Sequence, residues 1–143
     1  MGTRSLTHII QKYDDTSETL VTFYKQFDGY PTGYGLELAE WLSKVTLVNG
    51  IGLNADKVIA NGMGCLAAQL ISHFKTEAGG IYIYPPDSTD CGEEYVYTIS
   101  FDGDELSPKG GKLMMRCYDV YEKKALFDGE PKNFIKKFGK VKI

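Results

Sequence analysis

The spacing of apolar side chains changes period twice along this chain, and that change limits the fold more than any other feature. Between residues 3 and 12, Arg4, Leu6, His8 and Ile10 share one face of a strand, while Thr3, Ser5, Thr7 and Ile9 share the other. Residues 19–27 continue in strand fashion, with Val21, Phe23 and Phe27 placed on one face, and the turn-forming run Asp14-Asp15-Thr16-Ser17 precedes them. The two segments read as an antiparallel hairpin. The period then lengthens. Leu38, Leu42 and Val45, with Trp41 beside them, mark a helix over 36–45. Leu66, Ala67, Leu70, Ile71 and Phe74 mark a second over about 63–75.

From residue 81 the strand pattern returns. A short strand over 81–84 stops at Pro85-Pro86, and Tyr95, Tyr97, Ile99 and Phe101 alternate along 95–101. Further strands are expected over 113–121 and 125–127, with Asp102-Gly103 and Lys109-Gly110-Gly111 bounding a loop. Pro131 to Phe138 reads as a terminal helix, with proline early and Lys136 and Lys137 late. Residues 46–61, broken by Asn49-Gly50-Ile51-Gly52 and followed by Asn61-Gly62-Met63-Gly64, take no assignment. The expected fold class is α+β, a mainly antiparallel sheet with two or three helices packed on it, in a single domain over 1–143.

The net charge of −3 argues against a duplex nucleic-acid partner, which a basic footprint normally accompanies. Cys65, Cys91 and Cys117 are odd in number and show no CxxC pair, so neither a disulfide framework nor a structural zinc site is expected. No metal and no cofactor is expected. The opening Met1-Gly2-Thr3-Arg4-Ser5-Leu6 lacks the apolar run of a signal peptide, and no segment approaches membrane-helix length. A cytoplasmic location without membrane contact follows as an expectation.

The run Asp28-Gly29-Tyr30-Pro31-Thr32-Gly33-Tyr34-Gly35 carries the main functional expectation. A helix begins with unpaired N–H groups and partial positive charge, and glycines ahead of it let a ligand approach the backbone. Tyr30 and Tyr34 offer rings for stacking, and Arg4 or Lys25 a cation for phosphate. Gln26, Asp28, Thr32, Gly33 and Gly35 belong to the same candidate ligand-binding set. The spacing matches neither GxxxxGK nor GxGxxG. The alternative is a rigid turn that uses glycine for its backbone freedom and tyrosine for packing.

Three weaker features stand beside it. Asn61-Gly62-Met63-Gly64 opens the second helix and is read as another anion site or a plain cap. Asp90 and Glu93, around Cys91, supply carboxylates for ribose hydroxyls or a divalent metal, with Cys91 a nucleophile if a histidine stands near, or else form an acidic turn with a buried thiol. His8 and His73 are the only histidines, and neither opens a His-x-Thr/Ser motif. No catalytic residue is assigned.

Met1-Gly2-Thr3-Arg4-Ser5-Leu6-Thr7, Gln26-Phe27-Asp28-Gly29-Tyr30-Pro31-Thr32-Gly33, Cys65-Leu66-Ala67-Ala68-Gln69-Leu70 and Asp90-Cys91-Gly92-Glu93-Glu94-Tyr95 resemble, in order, segments of a family of small phage and bacterial proteins. The resemblance implies a phage or prophage setting, hence the cytoplasm of a bacterial host, and brings no activity with it. Some small phage proteins of other kinds sequester nucleotide signals of bacterial immunity. The leading expectation is therefore a protein that holds a small anionic, nucleotide-like ligand of the cyclic nucleotide or ADP-ribose type and so blocks host defence. The alternatives are a small phosphodiesterase or hydrolase acting on such a nucleotide, and a protein-binding inhibitor of a host factor. A homo-oligomer with a composite pocket is compatible with each.

Overall fold

The structure, a computed structural model, describes residues 2–49 and 58–139. Its elements are β1 (Ser5–Lys12), β2 (Ser17–Lys25), a π-helical turn (Pro31–Gly35), α1 (Leu36–Ser43), β3 (Val45–Val48), β4 (Val58–Asn61), α2 (Gly62–Phe74), β5 (Ile81–Tyr84), β6 (Tyr95–Asp104), β7 (Ser107–Asp119), β8 (Lys124–Gly129) and α3 (Pro131–Phe138). The fold is α+β. A six-stranded sheet runs β5-β2-β1-β6-β7-β8, and a small two-stranded sheet joins β3 to β4. In the large sheet only the central β1–β6 pair is parallel.

Side-chain alternation sorts the large sheet into two faces. Ile9, Phe23, Tyr97, Ile99, Phe101, Met115 and Cys117 turn one way and form the core with Leu38 and Leu42 of α1 and Leu66 and Leu70 of α2. Burying each such aliphatic or aromatic side chain contributes roughly 1.5–3 kcal/mol. On the opposite, outer face lie Leu6, His8 and Thr22, with Tyr24 stacked on Tyr84 at 5.2 Å. The β1–β2 hairpin forms as expected, with one irregularity between Ile9 and Ile10.

Several expectations are corrected. Phe27 lies beyond β2 and is 53% exposed, because the strand ends at Lys25. Val45 starts β3 rather than finishing α1, and Val45–Val48 pairs in parallel with Val58–Asn61 inside the stretch left unassigned. Of the break at Asn49-Gly50-Ile51-Gly52, only Asn49 lies among the described residues. The glycines at 103, 110 and 111 do not bound a loop. They lie within β6 and β7, which continue as a hairpin to Asp104 and Ser107. The reason is Phe101: a Cβ on Gly111 would stand 2.3 Å from its ring, so the missing side chain makes room for the aromatic one.

β5 forms one margin of the sheet. The Gln26 N–H donates to the Gly80 carbonyl, so the ladder's alternation turns Tyr82 and Tyr84 toward β2 and Ile81 and Ile83 outward. The Ile81 N–H donates to the Gly79 carbonyl, and the Ile81 carbonyl accepts from Lys75 Nζ at 2.9 Å. Pro85 has no N–H, and its carbonyl accepts from the Ser88 N–H and hydroxyl.

Candidate functional site

The Asp28–Gly35 segment folds onto itself. Its helical path starts at Pro31, as a wide π turn that runs straight into α1. The Gly33 and Gly35 N–H groups donate to the Tyr30 carbonyl, and the Tyr34 N–H to the Asp28 carbonyl. The Leu36 N–H is taken by the Pro31 and Gly33 carbonyls. The Gly33, Tyr34, Gly35 and Leu36 amides are therefore committed to the backbone rather than open to an anion. Tyr34 is fully buried, so it has no face for a ligand ring. Its hydroxyl shares a 2.8 Å hydrogen bond with Thr7, and burial pushes its phenol far above the usual range. Tyr30 is 39% exposed, with its ring against Gly33. A Cβ on Gly35 would stand 2.8 Å from the Phe134 ring and 2.9 Å from the Tyr97 hydroxyl, so that glycine admits α3 rather than a ligand. Thr32 is exposed on the turn.

The two cations offered as alternatives for phosphate, Arg4 and Lys25, are separated by the pleat. Ser5 pairs with Lys25, whose ammonium lies 5.7 Å from the Tyr34 ring centre on the helical side. Arg4, one residue from Ser5, turns the other way and lies over Gly92. Its carbonyl accepts from the Glu94 N–H at 2.9 Å. Arg4 thus lies over the 90–94 turn that carries Asp90 and Glu93, away from Lys25. Glu93 is buried and accepts the Cys91 N–H at 2.7 Å, and Asp90 is exposed in left-handed backbone. Gln26 accepts from the Tyr24 hydroxyl at 2.6 Å. Nearby, His8 Nδ1 meets the Thr22 hydroxyl at 2.7 Å, and that hydroxyl also accepts the Asp87 N–H. Burial holds the His8 imidazole below its usual pKa, against the opposing pull of Asp87 and Glu93.

The start of α2 is occupied from within. The Glu105 carboxylate accepts the Met63 N–H at 3.3 Å and Gln11 Nε2 at 3.4 Å. A carboxylate at a helix N-terminus satisfies the position an external anion would take.

An open site lies instead where α1 meets the end of α2. Glu37, Glu40, Trp41 and Lys44 fall at i, i+3, i+4 and i+7, so they form one stripe of α1. With Lys25, His73, Phe74 and Thr76 they line a groove of about 390 Å³. Trp41 and His73 stack across it, with centroids 5.8 Å apart and planes 26° apart. Phe74 meets His73 edge-on at 4.8 Å and the buried Tyr34 at 5.4 Å, and Tyr34 meets Tyr97 at 5.1 Å. A chain of rings therefore runs from the groove into the core. The ion pairs among the described residues, Lys112–Glu130 and Lys132–Glu130, lie elsewhere, so Lys25 and Lys44 have no carboxylate of the described residues within 4 Å.

A second cavity, about 710 Å³, is larger but chemically opposed to an anion. Asp14, Asp102, Asp104 and Glu105 line it against the single cation Lys12. Of the side chains expected from sequence, Lys25 lines the smaller groove and Asp28 a recess beside it. Trp41, Lys44 and His73 were not among them, although the i, i+3, i+4, i+7 stripe on the first helix was a readable signal. Among the described residues no cluster of histidine, cysteine and carboxylate side chains has metal-binding geometry, and no helix is long and apolar enough to cross a membrane. No family model, curated protein or solved structure matches the chain.

Proposed function

We propose that this chain binds a small anionic ligand bearing a flat ring, a nucleotide-like molecule, and holds it without transforming it. The observation that carries the reading is the Trp41–His73 stack in one groove with Lys25 and Lys44. An aromatic face contributes about 1–3 kcal/mol per stacked base, and two ammonium groups with no carboxylate partner among the described residues attract phosphate. Glu37 and Glu40 supply acceptors for sugar hydroxyls or exocyclic amines. One chain furnishes all of these groups, so binding does not require a second copy. Holding is favoured over attack by Cys91, because burial and the neighbouring Glu93 and Asp90 push that thiol away from the reactive thiolate. In the phage or prophage setting that the sequence resemblance implies, the matching ligand is a nucleotide-derived immune signal of the cyclic nucleotide or ADP-ribose type, whose sequestration blunts host defence.

Titration calorimetry with cyclic di-adenylate and ADP-ribose tests this. Saturable binding is expected, weakened about tenfold in Trp41→Ala, with intact ligand recovered after heat denaturation. Absence of binding by both compounds, or equal affinity in Trp41→Ala, sinks the reading. Recovery of altered ligand identifies a hydrolase instead.

A further inference from the structure

We propose that the ligand has two ring-bearing halves joined through an anionic centre, which rests on the reading of the groove as a nucleotide-like site. A second recess of about 300 Å³ adjoins the groove, and Lys25, Phe74 and Thr76 line both. Each recess alone lies near the lower end of the roughly 300–1,000 Å³ typical of ligand cavities. The second recess repeats the chemistry of the first. Where the first has Trp41 with Glu37 and Glu40, the second has Phe27 with Asp28 and Glu77. Phe27 is 53% exposed there, an aromatic face held at the surface just past the end of β2.

The charge common to both recesses sits between them, and Lys44 adds a second ammonium to the first recess alone. Lys25 is at the shared waist, held over the Tyr34 ring. Lys75, the other cation of the second recess, is already committed to the Gly79 and Ile81 carbonyls, and so braces the wall rather than meeting ligand. That wall includes Gly80 in left-handed backbone, with nothing within 4 Å of the position its Cβ would occupy. An aromatic face and paired carboxylates on each side of one lysine match a molecule with a ring and a hydroxylated sugar at both ends and phosphate in the middle. A pyrophosphate-linked dinucleoside has that form.

Calorimetry with adenosine and guanosine monophosphates and with the two matching pyrophosphate-linked dinucleosides tests the assignment. A dinucleoside is expected to bind about tenfold more tightly than its monophosphate. Phe27→Ala should remove that advantage and still unfold at the wild-type temperature, while Trp41→Ala should weaken both kinds of probe. Equal affinity for both kinds, or a dinucleoside advantage that survives in Phe27→Ala, overturns the two-part ligand and leaves the binding groove standing. No binding of any of the probes overturns the groove as well.

Discussion

The Tyr97 hydroxyl, on β6, donates a 2.7 Å hydrogen bond to the carbonyl of Gly29, which packs against Ser5 of β1. This bond ties the sheet to the start of the segment that leads into α1. Both groups are buried, and burial together with the Cys117 thiol pushes the Tyr97 phenol up, so it stays a neutral donor. Tyr97→Phe leaves the Gly29 carbonyl without its partner. The expected cost is about 1–3 kcal/mol in urea unfolding. An unchanged midpoint would show that the segment is held by its own backbone bonds alone.

Two glycine-to-alanine changes should act with opposite sign. At Gly35 the new methyl meets the Phe134 ring and the Tyr97 hydroxyl below 3 Å, and overpacking should destabilise by about 1–3 kcal/mol. At Gly64, inside α2, nothing lies within 4 Å, and the gain in helix propensity should stabilise by about 0.5–1 kcal/mol. Thermal melts of the two variants beside the parent check both signs.

The His8 imidazole is held below its usual pKa chiefly by burial, so the unfolded chain binds a proton more readily than the folded one. Its contribution is fully present above the unfolded value, about 6.5, and is lost as pH falls through the depressed folded value. Thr22, Asp87 and Glu93 face it. Urea midpoints should therefore decline as pH drops from about 7 toward 5, the range spanning the ordinary histidine pKa. His8→Asn, which keeps a polar atom near Thr22, should flatten that part of the profile.

Binding through Lys25 and Lys44 should weaken with salt. The Debye length falls from about 30 Å at 0.01 M to about 8 Å at 0.15 M, which screens partly exposed charges. Lys44→Ala should lower the affinity for ADP-ribose and make it less salt-dependent, as read by calorimetry at the two ionic strengths. An unaltered slope places the phosphate away from α1.

The legible part of this fold is the part where burial and period coincide. Tyr97, Ile99 and Phe101 alternate because one sheet face is buried, and Leu66 and Leu70 recur because one face of α2 is. The parallel β3–β4 pair was not legible, since each strand is four residues long and carries too few positions to show a period. The segment around Gly33 and Gly35 was legible as a special backbone but not as to what it admits. The same glycine signature serves a ligand or a neighbouring ring, and here the rings of Tyr30 and Phe134 take the space. The groove was half legible. Lys25 stood out as a cation, but its alignment with Trp41 and His73 depends on how β2, α1 and α2 converge, which is a tertiary fact.

The margin formed by β5 has a consequence for the protein in concentrated solution. A bare apolar strand such as Ile81-Tyr82-Ile83-Tyr84 ordinarily invites another chain to add to it and seed fibrils. Here Lys75 and Ser88 already occupy outward carbonyls, and proline follows at once, which leaves Ile83 as the one residue of that strand with outward backbone groups to offer an incoming chain. A lysine just past the end of a helix thereby acts as a gatekeeper against aggregation at the edge of the sheet.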